Sequence, residues 1–198
     1  IWHNLDGKKL IGGSQFNGFS RSTDGGLTWT NATSGLSGNA PFISKLANSR
    51  HNPERIYTLT SNGVFRSENF GQSWTLSPIS NKWGQSSFMD LEVSRANSKI
   101  VWAGSGMSST RSIHVSTDAG VTFNVTQNYT LKTLGGITKL ASHPTEPNTA
   151  YALFSFSGLP KILRTTDLGQ TWQDISGFDG VTGDPSTRGF PNVAVYCL

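Results

Sequence analysis

Arg164-Thr165-Thr166-Asp167-Leu168-Gly169-Gln170-Thr171-Trp172 decides the fold of this chain. Its frame is a small hydroxyl residue, any, Asp, any, Gly, any, Thr, aromatic, carried here by Thr165, Asp167, Gly169, Thr171 and Trp172. The frame recurs as Ser22, Asp24, Gly26, Thr28, Trp29, then as Ser67, Asn69, Gly71, Ser73, Trp74, and as Ser116, Asp118, Gly120, Thr122, Phe123. The central residue falls at 24, 69, 118 and 167, at intervals of 45, 49 and 49. Four copies at near-constant spacing specify a repeat architecture.

The chemistry of the frame is that of a hairpin turn. Asp or Asn folds back onto neighbouring backbone N–H groups and tolerates a left-handed backbone, and Gly supplies positive φ. The Ser and Thr hydroxyls tie down further backbone groups. The aromatic that closes each copy is an apolar body suited to pinning the hairpin onto a core, so Trp29, Trp74 and Trp172 are expected to be buried. The role expected for all twenty frame residues is structural. Four copies of one nucleophile serve no single reaction, and Asn69 keeps the turn while losing the acid.

Short strand-forming runs flank every copy. The first unit reads as strands over 8–14, 17–22 and 27–32, the second as 43–48, 55–60, 63–67 and 73–77. The third reads as 89–94, 100–104, 112–116 and 122–126, the fourth as 136–142, 149–156, 160–165 and 171–175. Evenly spaced short strands with turn signals, and no sustained helical period, indicate an all-β chain. Four strands per repeat match the four-stranded antiparallel blades of a β-propeller. The units are expected at 1–35 (partial), 43–77, 88–130 and 136–176. Residues 190–198 are expected as the first strand of the next blade, since Val193, Val195 and Cys197 alternate with Ala194 and Tyr196. The first unit is expected to lack its inner strand. Two closures follow: the tail completes the first unit as a four-bladed ring, or, the expected case, the chain is part of a larger propeller.

The four frames resemble the Asp-box, or bacterial neuraminidase repeat, over nearly the whole chain. Families that carry it are β-propellers: sialidases, xyloglucanase-type glycoside hydrolases, sortilin-like receptors, a photosystem assembly factor and secreted bacterial surface proteins. The resemblance implies the fold without choosing among these functions. No Arg-Ile-Pro motif of the sialidases precedes the first frame, and Arg50, Arg95, Arg111 and Arg188 match no arginine triad motif, so no sialidase residue carries over. The connector 175–190 and the Pro191–Val195 stretch look like bacterial surface proteins exported through a type IX system.

Other features narrow the chemistry. The net charge of +4 is diffuse, with one adjacent basic pair at Lys8-Lys9, so a nucleic-acid surface is not expected. No apolar run is long enough for a membrane helix. One cysteine, Cys197, excludes an internal disulfide and reads as a small core residue. The four histidines lack ligand spacing, so zinc is not expected.

Two carboxylate groups remain as candidates. Asp90 and Glu92 lie two apart on an expected inner strand, hence on one face, with Cα atoms about 6.5–7 Å apart. They are the candidate acid–base pair. The structural alternative is ion pairing of Glu92 with Lys45 and Lys139, expected level with it on the flanking blades. Asp174, Asp179 and Asp184 lie on a Gly-rich connector that could hold calcium, although the dense alternation of a dedicated calcium loop is missing. No other cofactor is expected. Three sequons, at Asn31, Asn124 and Asn128, permit a secreted origin. The functional expectation is a non-catalytic propeller of a secreted or cell-surface protein that binds protein or glycan, its remaining blades supplied by the same chain or another subunit. The alternatives are a glycoside hydrolase with acids partly outside this stretch and a sortilin-like sorting receptor.

Overall fold

The apolar runs fold as antiparallel strands, each repeated turn joining the last two strands of a sheet. The computed structural model describes residues 1–79, 81–84, 88–108, 110–128, 136–154 and 162–177. Blade 1 holds β1 (Leu10–Gly13), β2 (Phe19–Ser22) and β3 (Thr30–Asn31). Blade 2 holds β4 (Ala47–Asn48), β5 (Ile56–Thr60), β6 (Gly63–Ser67) and β7 (Thr75–Ser77). Blade 3 holds β8 (Asp90–Val93), β9 (Val101–Gly104), β10 (Ile113–Ser116) and β11 (Asn124–Val125). Blade 4 holds β12 (Ile137–Ser142), β13 (Ala150–Phe154), β14 (Ile162–Thr165) and β15 (Gln173–Asp174). Within each sheet the strands lie side by side in chain order. This is the β-propeller plan expected from the turn spacing, and a partial propeller fits it. The expected strand at 190–198 lies outside the described residues.

Burial along the strands follows from stacking. β5, β9 and β10 are buried at every position because both sheet faces meet another blade. The last strand of each sheet is two or three residues long and largely exposed, which keeps the outer edges too short to pair with other chains.

Blade 1 is three-stranded, as expected, but the bonds that end an inner strand lie beside β1. The Ile1 amino group donates to the Ile11 carbonyl at 2.6 Å, and Ile11 N–H returns a bond to Ile1 at 2.9 Å. Trp2 bridges Leu10, and His3 N–H donates to Lys9. Ala47, Asn48 and Ser49 make the same pattern with Tyr57, Ile56 and Arg55 in blade 2. Three residues are too few to show an alternation, so the pattern could not reveal them. Leu10 and Ile11, onto which a closing tail would pair, are therefore already paired.

The core is a series of seams between blades. Ile11 and Phe19 of blade 1 pack with Ile56, Phe65, Phe70 and Trp74 of blade 2. Tyr57, Leu59 and Val64 of blade 2 pack with Met89, Leu91, Val93 and Phe123 of blade 3. Trp102, Ile113 and Val115 of blade 3 pack with Ile137, Leu140, Leu163 and Trp172 of blade 4. Each seam thus receives the aromatic of the following blade's repeated turn. Trp74 Nε1 donates to the Ala32 carbonyl of blade 1 at 2.7 Å, and Trp172 meets Trp102 edge to face at 6.0 Å.

Trp29 departs from the expected burial. Trp74 and Trp172 are 4% and 3% exposed, whereas Trp29 is 50% exposed and its Nε1 donates within its own turn, to Gly26. The other aromatics owe their burial to the preceding blade, and no described blade precedes blade 1. The repeated frame specifies the ring, and the neighbour specifies its burial.

Candidate functional site

The twenty frame residues build four turns of one geometry. Ser22 Oγ donates to Asp24 Oδ1 at 2.7 Å and accepts from Gly26 N–H at 2.9 Å. Thr28 donates its N–H to Oδ1 at 3.0 Å and its hydroxyl to Oδ2 at 2.5 Å. Ser116, Asp118, Gly120 and Thr122 repeat this, as do Thr165, Asp167, Gly169 and Thr171. In the second copy Asn69 Nδ2 donates to Ser73 Oγ at 2.9 Å, so the closing hydroxyl turns from donor to acceptor and the turn survives. Each carboxylate bonds inside its own hairpin, so the four turns do not converge on a shared pocket.

These bonds set the acid response. Hydrogen bonds from the Thr28 hydroxyl and N–H and from Ser22 hold Asp24 well below the usual carboxylate range. Partial burial pushes Asp118 and Asp167 up, but donors from Thr122 and Ser116, and from Thr171 and Thr165, outweigh it and hold both down, Asp118 to about 2. A depressed folded-state value stabilises the fold above the ordinary pKa of 3.8, and that stability disappears as pH falls through the depressed value. Urea-unfolding midpoints should therefore stay level from pH 6 to about 4.5 and drop most steeply from about 4 to 2. Asn69→Asp should steepen that drop, because it adds a fourth titrating turn. An unchanged acid slope in that variant would refute the assignment.

The inner strands carry a different constellation. A cavity of about 350 Å³ runs along them, lined among others by Lys45, Arg50, Asp90, Glu92, Arg95 and Lys139. Asp90 is the anchor. Its side chain is 3% exposed and lies 3.3 Å from both Lys45 Nζ of blade 2 and Lys139 Nζ of blade 4. Asp90 Oδ2 also accepts the Leu140 N–H at 2.8 Å. One carboxylate therefore clasps three consecutive blades.

This corrects the expected pairing, which assigned both lysines to Glu92. Asn48, Val93 and Ser142 each pair with the second-strand residue that faces the first residue of the repeated turn. Counting back three puts Lys45, Asp90 and Lys139 level. Glu92 sits one step on along the same face and accepts from Ser142 Oγ at 2.9 Å. The candidate acid–base pair is thus brought into one cleft, with Asp90 committed to two ammonium groups and a backbone N–H.

Arg50 and Arg95, weighed in the sequence only against an arginine triad, line the cleft. Each follows a serine that ends an inner strand, in Asn48-Ser49-Arg50 and Val93-Ser94-Arg95. That repeated Ser-Arg pair was the available signal. Both side chains are exposed, and among the described residues neither enters an ion pair. Four cationic groups thus face two carboxylates that are already engaged.

Of the calcium candidates, Asp179 and Asp184 lie outside the described residues. Asp174 Oδ1 accepts the N–H of Ser176 at 2.8 Å, an Asx turn that closes the blade. Among the described residues no cluster of three or more His, Cys, Asp or Glu side chains could hold a metal ion, and no helix is long and apolar enough to cross a membrane. Trp102, another tryptophan outside the frames, is fully buried, and Trp83 donates from Nε1 to Thr60 at 2.9 Å; Trp2 is exposed, on blade 1.

Comparison with known proteins agrees with the fold. The Sortilin-Vps10 family model, described as Sortilin, neurotensin receptor 3, matches residues 17–134, more than half of the chain. An ancestral GH74 enzyme superposes with a TM-score of 0.66 at 19% identity, over 89% of this chain and 23% of the enzyme. The GH74 enzyme of Niastella koreensis gives 0.61 at 19% identity, over 88% and 29%. YCF48 bound to D1 peptide gives 0.55 at 16% identity, over 85% and 51%. At these identities the likeness is one of fold, and the chain spans about a quarter of the enzymes and half of YCF48. No curated protein matches.

Proposed function

Because this chain belongs to the Sortilin-Vps10 family, we propose that it is a non-catalytic part of a propeller that binds an acidic segment of a protein partner in the inner-strand cleft. The observation that carries the reading is the surplus of unengaged donors there. Each lysine ammonium has three N–H donors and gives one direction to Asp90, and Arg50 and Arg95 offer guanidinium forks for carboxylates. Asp90 in turn keeps the lysine heads from swinging into solvent, so the ligand meets a preorganised pair of charges. The lining is polar, which suits a charged segment better than an apolar ligand. YCF48, of like fold, is seen with a peptide bound.

The remaining blades are proposed to come from the same polypeptide, and the protein is proposed to act in a secretory or cell-surface setting. Two of the three sequons support that setting, since Asn31 and Asn124 lie exposed on the outer strands β3 and β11, where a glycan has room.

The test is fluorescence anisotropy with a labelled octa-glutamate peptide at two ionic strengths. Binding should weaken at least tenfold in Arg50→Glu/Arg95→Glu and fall with salt, because exposed charges are screened over about 10 Å at 0.1 M. A neutral Gly-Ser peptide should not bind. Equal binding of both peptides, or tighter binding of a sulfated oligosaccharide than of octa-glutamate, would reject the acidic-protein reading.

A further inference from the structure

One loop of blade 1 is longer than the repeat requires. In blade 2, β5 and β6 turn through Ser61 and Asn62 alone, since Thr60 pairs with Gly63. In blade 1, Gly13 pairs with Phe19, and Ser14–Gly18 stand between them. Phe16 and Asn17 of that loop both have left-handed backbones, with φ +56° and +55°. Asn tolerates this conformation, whereas a residue as bulky as Phe is strained in it. The strain is held from outside the loop. Asn17 donates its N–H to Ser44 Oγ at 2.7 Å and its Nδ2 to the Leu59 carbonyl of blade 2 at 2.8 Å. Ser44 Oγ donates in turn to the Ser14 carbonyl, and Phe16 N–H donates to the Phe42 carbonyl at 3.4 Å.

Strained residues persist where the surrounding structure holds them, and they gather at ligand-binding surfaces. Packing of the ring into the core does not account for this one. Phe16 is 61% exposed and meets Phe42, 55% exposed, edge to face at 5.5 Å. Ile43, next in the chain, is 65% exposed. The loop therefore fixes an apolar patch in water. That patch is continuous with the cleft, because Ser44, to which the loop is tied, lines the cleft beside Lys45. Phe42 and Lys45 are three residues apart, so their Cα atoms are at most about 11 Å from each other. An extended peptide spans that distance in about three residues.

Taking the cleft as a site for an acidic protein segment, we infer that Phe16, Phe42 and Ile43 form a second subsite, which receives an apolar side chain two or three residues away from the carboxylates of that segment. The ligand class narrows from any polyanion to an acidic segment flanked by an apolar residue. A peptide is the occupant because it alone carries both groups on one backbone at the required separation. Lys45 takes the carboxylates, and the ring pair takes the apolar group.

The test is fluorescence anisotropy of the intact chain with labelled tetra-glutamate, extended at either end by Gly-Phe-Gly or by Gly-Gly-Gly. In at least one of the two orders the Phe peptide should bind about fivefold or more tightly than its Gly counterpart, as expected for partial burial of a ring. Phe16→Ser/Phe42→Ser should erase that preference and leave the affinity for the Gly peptides unchanged. Both rings are exposed, so this variant should keep a native circular dichroism spectrum. Arg50→Glu/Arg95→Glu should weaken all the acidic peptides and preserve the preference. Equal binding of Phe and Gly peptides, or a preference that survives Phe16→Ser/Phe42→Ser, would overturn the inference and leave the cleft reading standing. Binding of none of the acidic peptides would end the cleft reading and the inference with it. A dimer in sedimentation velocity that Phe16→Ser/Phe42→Ser converts to monomer would assign the patch to a second copy of the chain, and would also overturn it.

Discussion

Asp90→Ala is expected to cost about 2–4 kcal/mol of unfolding free energy, because it removes a buried charge and leaves its partners behind. Lys45 and Lys139 would lose their common counter-ion, and Leu140 N–H would lose its acceptor. Removing one partner of a fully buried ion pair costs about 3–5 kcal/mol. Both lysine side chains are about a third exposed and can turn to water, which sets the expectation lower. Asp90→Asn keeps an acceptor for Leu140 and should cost roughly half as much. Urea unfolding provides the measurement, and a double-mutant cycle with Lys139→Met should show coupling above about 0.5 kcal/mol. A loss below about 0.5 kcal/mol in Asp90→Ala would mean that the clasp does not hold the blades together.

Gly120→Ala is expected to cost about 2–5 kcal/mol from two independent sources. Gly120 has φ +76°, where a side chain costs about 1–2 kcal/mol. The added methyl would also stand 2.4 Å from Tyr57 Cε1, with two further ring atoms within 3.3 Å. Tyr57 cannot yield easily. Its ring is buried in the seam, its hydroxyl donates to the Ala119 carbonyl at 2.8 Å, and burial raises its pKa to about 12, so it remains a donor at any working pH. Overpacking of this kind costs about 1–3 kcal/mol. Tyr57→Leu in the Gly120→Ala background should recover part of the loss, because only the steric part depends on the ring. No recovery would place the whole cost in the backbone. Gly26 supplies the contrast: its Cβ would meet only Leu10 and Trp29 of its own blade, at 3.4 and 3.8 Å, so Gly26→Ala should retain the backbone cost alone.

The seams explain why glycine at this place is both a turn residue and a docking residue. The residue before it is also left-handed in every copy, with φ +51° at Phe70, +62° at Ala119 and +59° at Leu168, and glycine itself at Gly25. Side chains fit there, and Phe70 even packs on blade 1 beside His3, whereas a Cβ at Gly71, Gly120 or Gly169 would stand 2.4 Å from Ile11, Tyr57 or Thr126 of the preceding blade. The same stacking makes the cleft: Lys45, Asp90 and Lys139 come from three blades and meet only when those blades stand side by side.

The sequence by itself determined the repeat, the turn chemistry, the strand order and the all-β architecture, because hydrogen bonds between residues two to four apart dictate these wherever the chain lies. Tertiary structure decided the rest. A pairing of Glu92 with the lysines differs from the true pairing of Asp90 by two residues, and a two-residue slip leaves every side chain on its original face. Alternation is blind to such a slip. The hydrogen-bond ladder resolves it, since eleven residues separate Ile56 from Ser67 but fifteen separate Val101 from Ser116 and Ala150 from Thr165. The fate of the aromatics was equally out of reach. Trp29, Trp74 and Trp172 stand in one motif, and only the two with a described blade before them are core, while Trp29 is half exposed.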